Sequence, residues 1–266
     1  MRYFFHIGYN GFNYHGWQRQ TNDLSIQEVL EDSVSKVLKS KVTILGCGRT
    51  DAQVHASQYF FHLDIKESWD FDLVFRINKI LPADISVFDI IPVEENQHAQ
   101  FDAKQRTYDY FIHTYKDPFL TQLSSFYLLK IDLKKIKNAV SLLEEYKDYR
   151  SFCKSPEQYK HTICNISSAK IFSDKSGEKL RLQISSDRFL QGMIRAIVAK
   201  LIKVGTGEIS LDEFAKLLIE KKTEKNLEFA YPQGLYLSKV VYPFLDIPEK
   251  AEFSEIAQKE NDWELV

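Results

Sequence analysis

The chain has 266 residues, more than one domain usually holds, and 44% of them are hydrophobic, the share of an ordinary globular protein with a core. No apolar run is long enough for a signal peptide or a membrane span, and the three cysteines show no metal-ligand spacing, so we expect a reduced, cytoplasmic protein. The net charge of −2 argues mildly against a nucleic-acid partner. Residues 246–266, however, contain seven acids and two lysines, so the rest of the chain is mildly basic and compatible with such a partner.

The first hundred residues alternate between strand and helix patterns. Aromatic and aliphatic alternation, helical spacing and a capping box at Ser25 and Glu28 predict these elements in order: a strand at 2–9, a helix from Ser25, strands at 42–45 (VTIL) and 58–63, a helix at 71–81 and a strand at 85–93. This order, β-α-β-β-α-β, is that of a ferredoxin-like unit.

The same order of elements returns in the second half. The patterns predict strands at 104–115, 126–130, 166–172, 179–185 and 234–242, and helices from Asp132, at 189–204 and from Ser210. Gly205 and Gly207 end the long helix in this prediction. We therefore predict an α+β fold of two ferredoxin-like units with mostly antiparallel sheets: an N-terminal domain at 1–100, a C-terminal domain at 101–245, and an acidic tail at 246–266.

The loop GCGRTDAQVHAS, residues 46–57, concentrates polar chemistry between two predicted strands. Loops held by a rigid sheet are common places for catalytic groups. Asp51 is the candidate catalytic carboxylate, acting as nucleophile or base, with Arg49 as the counter-ion that keeps it ionised. The alternative is a tight turn in which Arg49 and Asp51 only pair with each other. No other acid or histidine stands at metal-ligand spacing from His55, which favours a structural role for that residue.

Three further clusters carry polar or aromatic side chains that could meet a substrate. Arg106 and Tyr108 lie at the start of a predicted strand, although a tyrosine there is more often part of a core. Arg188 and Arg195 are seven residues apart and share one face of the predicted long helix, and the strand face of Lys179, Arg181 and Gln183 adds to a possible phosphate-binding surface. The remaining cluster spans residues 17–20, in the first loop.

Several blocks of the chain resemble the TruA-type tRNA pseudouridine synthases. GRTDAQVHA resembles the family signature GRTDxGVHA, and four more blocks follow the family's order: YHGWQRQ at 14–20, FDAKQRTYDY at 101–110, DRFLQGMIRAIV at 187–198 and GLYLSKVVYP at 234–243. The resemblance covers roughly residues 2–245. It implies isomerisation of uridine to pseudouridine in the anticodon stem-loop of tRNA, at positions 38 to 40.

The resemblance also implies roles for individual residues. Asp51 takes the place of the essential aspartate, and Arg49 that of the arginine that assists base flipping and pairs with the carboxylate. Tyr108 would stack on the uracil and help proton transfer, and Leu235 would pack against the bound base. The basic surface of the C-terminal domain at 101–245, with Arg188 and Arg195, would be its RNA-binding face. The family uses no metal or organic cofactor, and its members are homodimers in which one tRNA touches both subunits.

Two residues depart from the family pattern, and two other functions compete with the one it implies. Gln53 stands where glycine is usual, and Asp187 stands where asparagine or a small residue is common. A non-catalytic RNA-binding protein with ferredoxin-like sheets would explain the aromatic and basic residues but leaves the loop of Asp51 without a purpose. A hydrolase that uses Asp51 and His55 with a metal is the other competing function.

Overall fold

The computed structural model describes residues 1–66, 68–222, 226–248 and 263–266. The chain divides into two compact units: unit 1 comprises residues 1–104 and 236–253, and unit 2 comprises residues 105–235 and 254–266. The last predicted strand, assigned above to the second domain, thus falls in unit 1 from Tyr236 onward. Most of the predicted acidic tail, residues 249–262, lies outside the described residues. Among the helices of the described ranges, none has the length and apolar character that a membrane crossing requires.

The described elements alternate as the sequence predicts for a mixed α and β protein, and most strand pairs are antiparallel. In chain order they are β1 (Arg2–Tyr9), α1 (Ile26–Leu38), β2 (Leu45–Gly46), β3 (His55–Asp64), α2 (Leu73–Ile80), β4 (Ile85–Val93), β5 (Gln105–His113), β6 (Ser125–Phe126), α3 (Leu133–Ser141), β7 (Ile166–Asp174), β8 (Lys179–Ser186), α4 (Met193–Thr206), α5 (Leu211–Glu220), β9 (Leu235–Val241) and β10 (Trp263–Leu265).

Unit 1 is built on an antiparallel sheet in which β1 lies between β3 and β4. The short strand β2 pairs with β3, and Tyr236 and Leu237 of β9 pair with β3 in parallel. The helix α1 begins where the sequence predicts, because the Ser25 hydroxyl accepts a hydrogen bond of 3.3 Å from the Glu28 N–H. Its apolar stripe of Ile26, Leu30 and Val34 is fully buried, and each such side chain contributes about 1.5–3 kcal/mol to stability.

The predicted strand VTIL is wrong except at its last residue, Leu45. Ile44 is buried, but side chains of α1 take the place of a neighbouring strand as its hydrogen-bond partners. Its N–H donates to the Glu31 carboxylate at 3.2 Å, and its carbonyl accepts from the Gln27 amide at 3.2 Å. A strand-like sequence therefore runs as an irregular segment, because both backbone groups of Ile44 are satisfied without a ladder.

A buried histidine, His62, lies in the core of unit 1. Its Nδ1 accepts a hydrogen bond of 3.2 Å from the Ala99 N–H, and its ring stacks on Phe4 with 5.8 Å between centroids. Burial lowers the pKa of His62 to about 4, and the positive charges of His98 and Arg2 act in the same direction. The folded protein therefore holds His62 neutral at pH values where an unfolded chain begins to protonate it.

We expect unit 1 to lose stability on mild acidification because of His62. The unfolded pKa is about 6.5 and the folded pKa is lower, so this stability is complete above pH 6.5 and is lost as the pH falls toward 4. The loss amounts to roughly 2–3 kcal/mol by the linkage relation. Urea unfolding at several pH values should show the free energy of unfolding falling as the pH falls, and His62→Gln should make this dependence on pH weaker. If NMR shows that the His62 imidazole titrates near pH 6.5 in the folded protein, the lowered pKa of His62 is contradicted.

Unit 2 is built on an antiparallel sheet in which β8 lies between β5 and β7. β10 pairs with the other edge of β7, and β6 pairs in parallel with β5. Two predicted helix starts are confirmed. The Asp132 carboxylate accepts from the Lys135 N–H at the start of α3, and a complete capping box of Ser210 and Glu213 opens α5. The strand predicted at 126–130 is limited to the two residues of β6.

The long helix α4 begins later than predicted, and its glycines act differently from the prediction. Gly192 is its N-cap with a φ of 73°, so residues 189–191 precede the helix. Gly205 lies inside the helix, where a Cβ would come within 2.9 Å of Ile131 and Ile136, so glycine allows the close approach of α3. Gly207, with a φ of 81°, ends the helix.

Candidate active site

The loop that carries Asp51 is tied to the sheet of unit 1 on both sides. The Cys47 N–H donates to the Phe60 carbonyl at 2.8 Å, and the Tyr59 hydroxyl donates to the Gly48 carbonyl at 2.7 Å. Burial raises the pKa of Tyr59 well above its usual value, which keeps this hydroxyl protonated. One residue before Asp51, the Thr50 hydroxyl is hydrogen-bonded to that of Tyr9 at 2.9 Å. The backbone leading to Asp51 is therefore fixed in position.

The first loop of the chain packs directly against the same backbone. Trp17, one of the residues singled out at 17–20, is buried and stacks on Tyr59 with 4.1 Å between ring centroids. Its backbone N–H donates to the Thr50 carbonyl at 3.1 Å. Gly16 has a φ of 86°, and a Cβ there would lie 2.4 Å from the Thr50 carbonyl oxygen and 3.0 Å from the Asp51 carbonyl carbon. Only glycine satisfies both the conformation and the distance, so the YHGWQRQ block supports the Asp51 loop.

Asp51 is half-buried at the start of a turn that the Val54 N–H closes onto the Asp51 carbonyl at 3.2 Å. Arg49 is exposed. Backbone and hydroxyl hydrogen bonds hold the backbone of this loop, and a pairing of Arg49 with Asp51 stays a prediction.

Gln53 adopts the left-handed conformation that the usual glycine would favour, with a φ of 64°. Its N–H donates to the Tyr14 carbonyl at 3.0 Å, which ties this turn to the first loop. The turn therefore keeps this hydrogen bond, although residue 53 carries a side chain and its backbone conformation is strained.

We expect Gln53→Gly to stabilise the protein by about 0.5–1 kcal/mol, because glycine relieves the positive-φ strain at the expense of some unfolded-state entropy. The free energy of unfolding in urea measures the change. Gln53→Ala is the matched control, since it removes the side chain and keeps the strain. Equal stabilities of the alanine and glycine variants would refute a backbone origin.

His55 is part of the core of unit 1. Its side chain is fully buried, its Nδ1 accepts a hydrogen bond of 3.1 Å from the Gly11 N–H, and its ring stacks on Tyr236 with 4.4 Å between centroids. These contacts favour the structural role of His55. They do not favour the metal-dependent hydrolase, in which His55 would bind the metal. Within the described ranges, no three His, Cys, Asp or Glu side chains are grouped so that they could hold a metal ion.

The other residues implied in uracil binding lie in unit 2. Tyr108 is half-exposed on β5, and its ring meets the ring of Phe189 edge to face, with 5.0 Å between centroids. Leu235 is 7% exposed at the start of β9, directly after a 3₁₀ turn at Pro232–Gly234. Tyr108 is thus an accessible aromatic ring with a defined orientation, whereas Leu235 is anchored in the fold.

Comparison with known proteins identifies the family. A family model described as tRNA pseudouridine synthase matches residues 139–243. Proteins called tRNA pseudouridine synthase A are similar over 91% of this chain and 97% of their own length: that of Porphyromonas gingivalis is 37% identical, and those of Azobacteroides pseudotrichonymphae and Bacteroides fragilis are each 39% identical. The chain belongs to the tRNA pseudouridine synthase A family.

The arginines predicted to share a helix face in this tRNA pseudouridine synthase A family member do not do so. Arg188 precedes α4, and its guanidinium lies over the Tyr159 ring at 5.7 Å and 3.3 Å from the Nδ1 of His161. Arg195 is on α4, where its Nε donates to the Ala230 carbonyl at 2.8 Å. Because the helix starts after Arg188, the two arginines do not form one helix face, and each contacts different residues of unit 2.

Two other features of unit 2 refine the expected RNA-binding face. On β8, Arg181 lies 2.7 Å from the carboxylate of the buried Asp109, so part of this basic strand face is neutralised inside the protein. Asp187, the second departure from the family pattern, accepts hydrogen bonds from the Asn165 N–H and side-chain amide at 2.9 and 2.6 Å. Burial opposes ionisation of Asp187, but these bonds and that of Ser186 outweigh it and lower the pKa of Asp187 below its usual value. Asp187 thus secures the start of β7.

Sequence reasoning did not single out Gly16 or Thr50, which position the backbone of Asp51. A glycine in a loop is common, and nothing local reveals that this one touches a carbonyl 34 positions further along the chain. The placement of both residues in recognisable family blocks was the available signal.

Proposed function

We propose that this protein isomerises uridine to pseudouridine in tRNA. The observation that carries the proposal is the identity of 37–39% over 91% of the chain with proteins called tRNA pseudouridine synthase A. The GRTD sequence of the family signature lies in a loop that unit 1 holds rigidly, with Asp51 partly accessible. A non-catalytic RNA-binding protein would not require a carboxylate positioned in this way.

Asp51 acts as the nucleophile in the proposed reaction. Its carboxylate forms a covalent bond with the target nucleotide, either at the uracil ring or at the sugar, while the bond between the base nitrogen and the sugar breaks. The base then rotates, its carbon 5 bonds to the same sugar carbon, and the bond to Asp51 is released. The proton on carbon 5 leaves last, with Tyr108 as the proposed group that helps to transfer it, and the base nitrogen that released the sugar takes up one proton, so the product is an isomer of the substrate. No electron is gained or lost overall, so the reaction requires neither an oxidant nor a reductant.

The target base has to leave the stack before this chemistry can occur. Arg49 is exposed on the catalytic loop, where it is proposed to assist flipping of the uridine. Tyr108 offers a half-exposed ring for stacking on the uracil, and Leu235 is proposed to pack against the base. Arg188 and Arg195 are proposed to contact the RNA backbone, each from its own part of unit 2.

The finer features of the proposal come from the family resemblance. They are modification at positions 38 to 40 of the anticodon stem-loop, a homodimer in which one tRNA touches both subunits, catalysis without a metal or organic cofactor, and action in the cytoplasm. Two ferredoxin-like units are proposed as the architecture. In unit 1 this is supported by the order β1, α1, β2, β3, α2, β4, with β1 between β3 and β4 and with β2 on β3.

The decisive experiment is to incubate the purified protein with unmodified tRNA and to map pseudouridine at single-nucleotide resolution. Pseudouridine at positions 38 to 40 is the expected result, with a metal chelator leaving the activity intact. Tight tRNA binding without any pseudouridine would instead favour the non-catalytic RNA-binding protein. Sizing of the protein with and without tRNA tests the homodimer.

A further inference from the structure

Tyr231 is an exposed aromatic residue on a backbone that unit 2 holds on both sides. It keeps 53% of its surface accessible. Its carbonyl accepts hydrogen bonds from the hydroxyls of Tyr110 at 2.7 Å and Ser125 at 3.3 Å, and its N–H donates to the Tyr127 hydroxyl at 3.3 Å. Both peptide groups of Tyr231 are thus fixed by side chains of the fold, and its ring is presented from a rigid support.

The ring of Tyr231 is backed by a second aromatic ring and followed by a locked turn. Tyr127 packs against it with 5.2 Å between centroids and 34° between planes. After Tyr231 the chain enters the 3₁₀ turn that ends at Gly234, where a Cβ would lie 2.5 Å from the Ser125 hydroxyl and 2.6 Å from the Phe111 carbonyl oxygen. The turn has little freedom to move, so the ring has lost much of its conformational entropy before any ligand binds.

An arginine, Arg195, is anchored to the residue that precedes Tyr231. The Nε of Arg195 donates to the carbonyl of Ala230, the residue before Tyr231, at 2.8 Å, and the Ala230 N–H donates to the Arg195 carbonyl at 3.0 Å. The guanidinium also lies over the Phe229 ring at 5.6 Å. An accessible ring, with an arginine anchored at the preceding residue, is a combination suited to unpaired nucleotides, because the ring can stack on a base and the cation attracts phosphate.

We propose that Tyr231, supported by Tyr127, is a stacking platform for an unpaired nucleobase of the tRNA, with Arg195 near the phosphate of that nucleotide. This inference rests on the proposed function and adds a contact outside the residues of the modification reaction. A single ring on a fixed backbone suits a base better than a protein partner, because stable protein interfaces need about 800 Å² on each side.

The test compares the affinities of Tyr231→Ala and Tyr231→Phe for an anticodon stem-loop RNA, measured by fluorescence anisotropy. Alanine removes the ring but keeps the anchored peptide groups, so we expect about tenfold weaker binding, whereas phenylalanine keeps binding within about twofold. Phe75→Ala is the matched control, because Phe75 is an aromatic of similar exposure, 58%, on α2 in unit 1. Its affinity should equal that of the wild type.

A second measurement reports stacking itself. RNAs with 2-aminopurine placed in turn at each loop position should show, at one position, quenching by the wild type and by Tyr231→Phe that Tyr231→Ala abolishes. Unchanged RNA affinity of Tyr231→Ala overturns the inference, and so does an altered oligomeric state without an RNA effect, which would assign the ring to a contact between copies. If the wild type binds RNA through Tyr231 but forms no pseudouridine, the proposed function fails and the platform stands.

Discussion

Asp51→Asn is expected to abolish pseudouridine formation while leaving tRNA binding nearly intact. Replacing one carboxylate oxygen by an amide nitrogen removes the nucleophile, and losses on the order of 10⁴-fold in rate are typical when such a group is removed. Asparagine fits the same space, and the turn at Asp51 is closed through its backbone carbonyl, which the variant retains. The loop should therefore keep its position while losing its chemistry.

Single-turnover conversion of tRNA, with product measured by nucleoside mass spectrometry, is the appropriate assay for this variant. Asp70→Asn, at an exposed aspartate of the same unit, serves as the matched control and should keep full activity. Full activity in Asp51→Asn would remove Asp51 from the mechanism, whereas a parallel loss of tRNA binding would point to a structural role.

The elements that the sequence predicted well are those with local signals. Ser25, Asp132 and the pair of Ser210 and Glu213 each cap a helix with hydrogen bonds that span only three residues, so their effect is visible in a short stretch of sequence. Alternation of apolar residues likewise placed the long strands, because a strand buried on a sheet repeats every second residue.

The errors arose where contacts distant in sequence decide the local structure. VTIL has the composition of a strand, yet the side chains of Gln27 and Glu31 satisfy the backbone of Ile44 from a neighbouring helix. The stretch before α4 has helical spacing, but Gly192 turns the chain with a positive φ and moves the helix start past Arg188. Asp51, Gly16 and Thr50 all lie in blocks that resemble the family, but the contacts by which Gly16 and Thr50 hold the Asp51 loop could be read only from the fold.

Gly16→Ala is expected to lower both stability and activity, because it presses on the backbone that positions Asp51. An added Cβ would lie 2.4 Å from the Thr50 carbonyl oxygen, and the φ of 86° disfavours any side chain. Overpacking costs about 1–3 kcal/mol and the backbone conformation about 1 kcal/mol more, so we expect a loss of about 2–4 kcal/mol in the free energy of unfolding.

Gly177→Ala separates these two causes. Gly177 has a φ of 74°, but a Cβ there meets no atom within 4 Å, so this variant carries the backbone strain alone and should lose only about 1 kcal/mol. Activity distinguishes the variants more sharply. At a temperature where both are folded, Gly177→Ala should match the wild type, because the hairpin turn of unit 2 is far in sequence from the loop of Asp51.

Gly16→Ala should retain tRNA binding but convert the bound tRNA about 10–100 times more slowly, since a displacement of about 1 Å in a reacting group has an effect of this order. The rate constant of a single turnover, measured with tRNA saturated by enzyme, reports this step without the binding step. An unchanged rate constant would mean that the Asp51 loop can absorb the added methyl group elsewhere. A slower rate with a normal affinity would show that the contact between the first loop and Thr50 fixes the nucleophile in its reactive position.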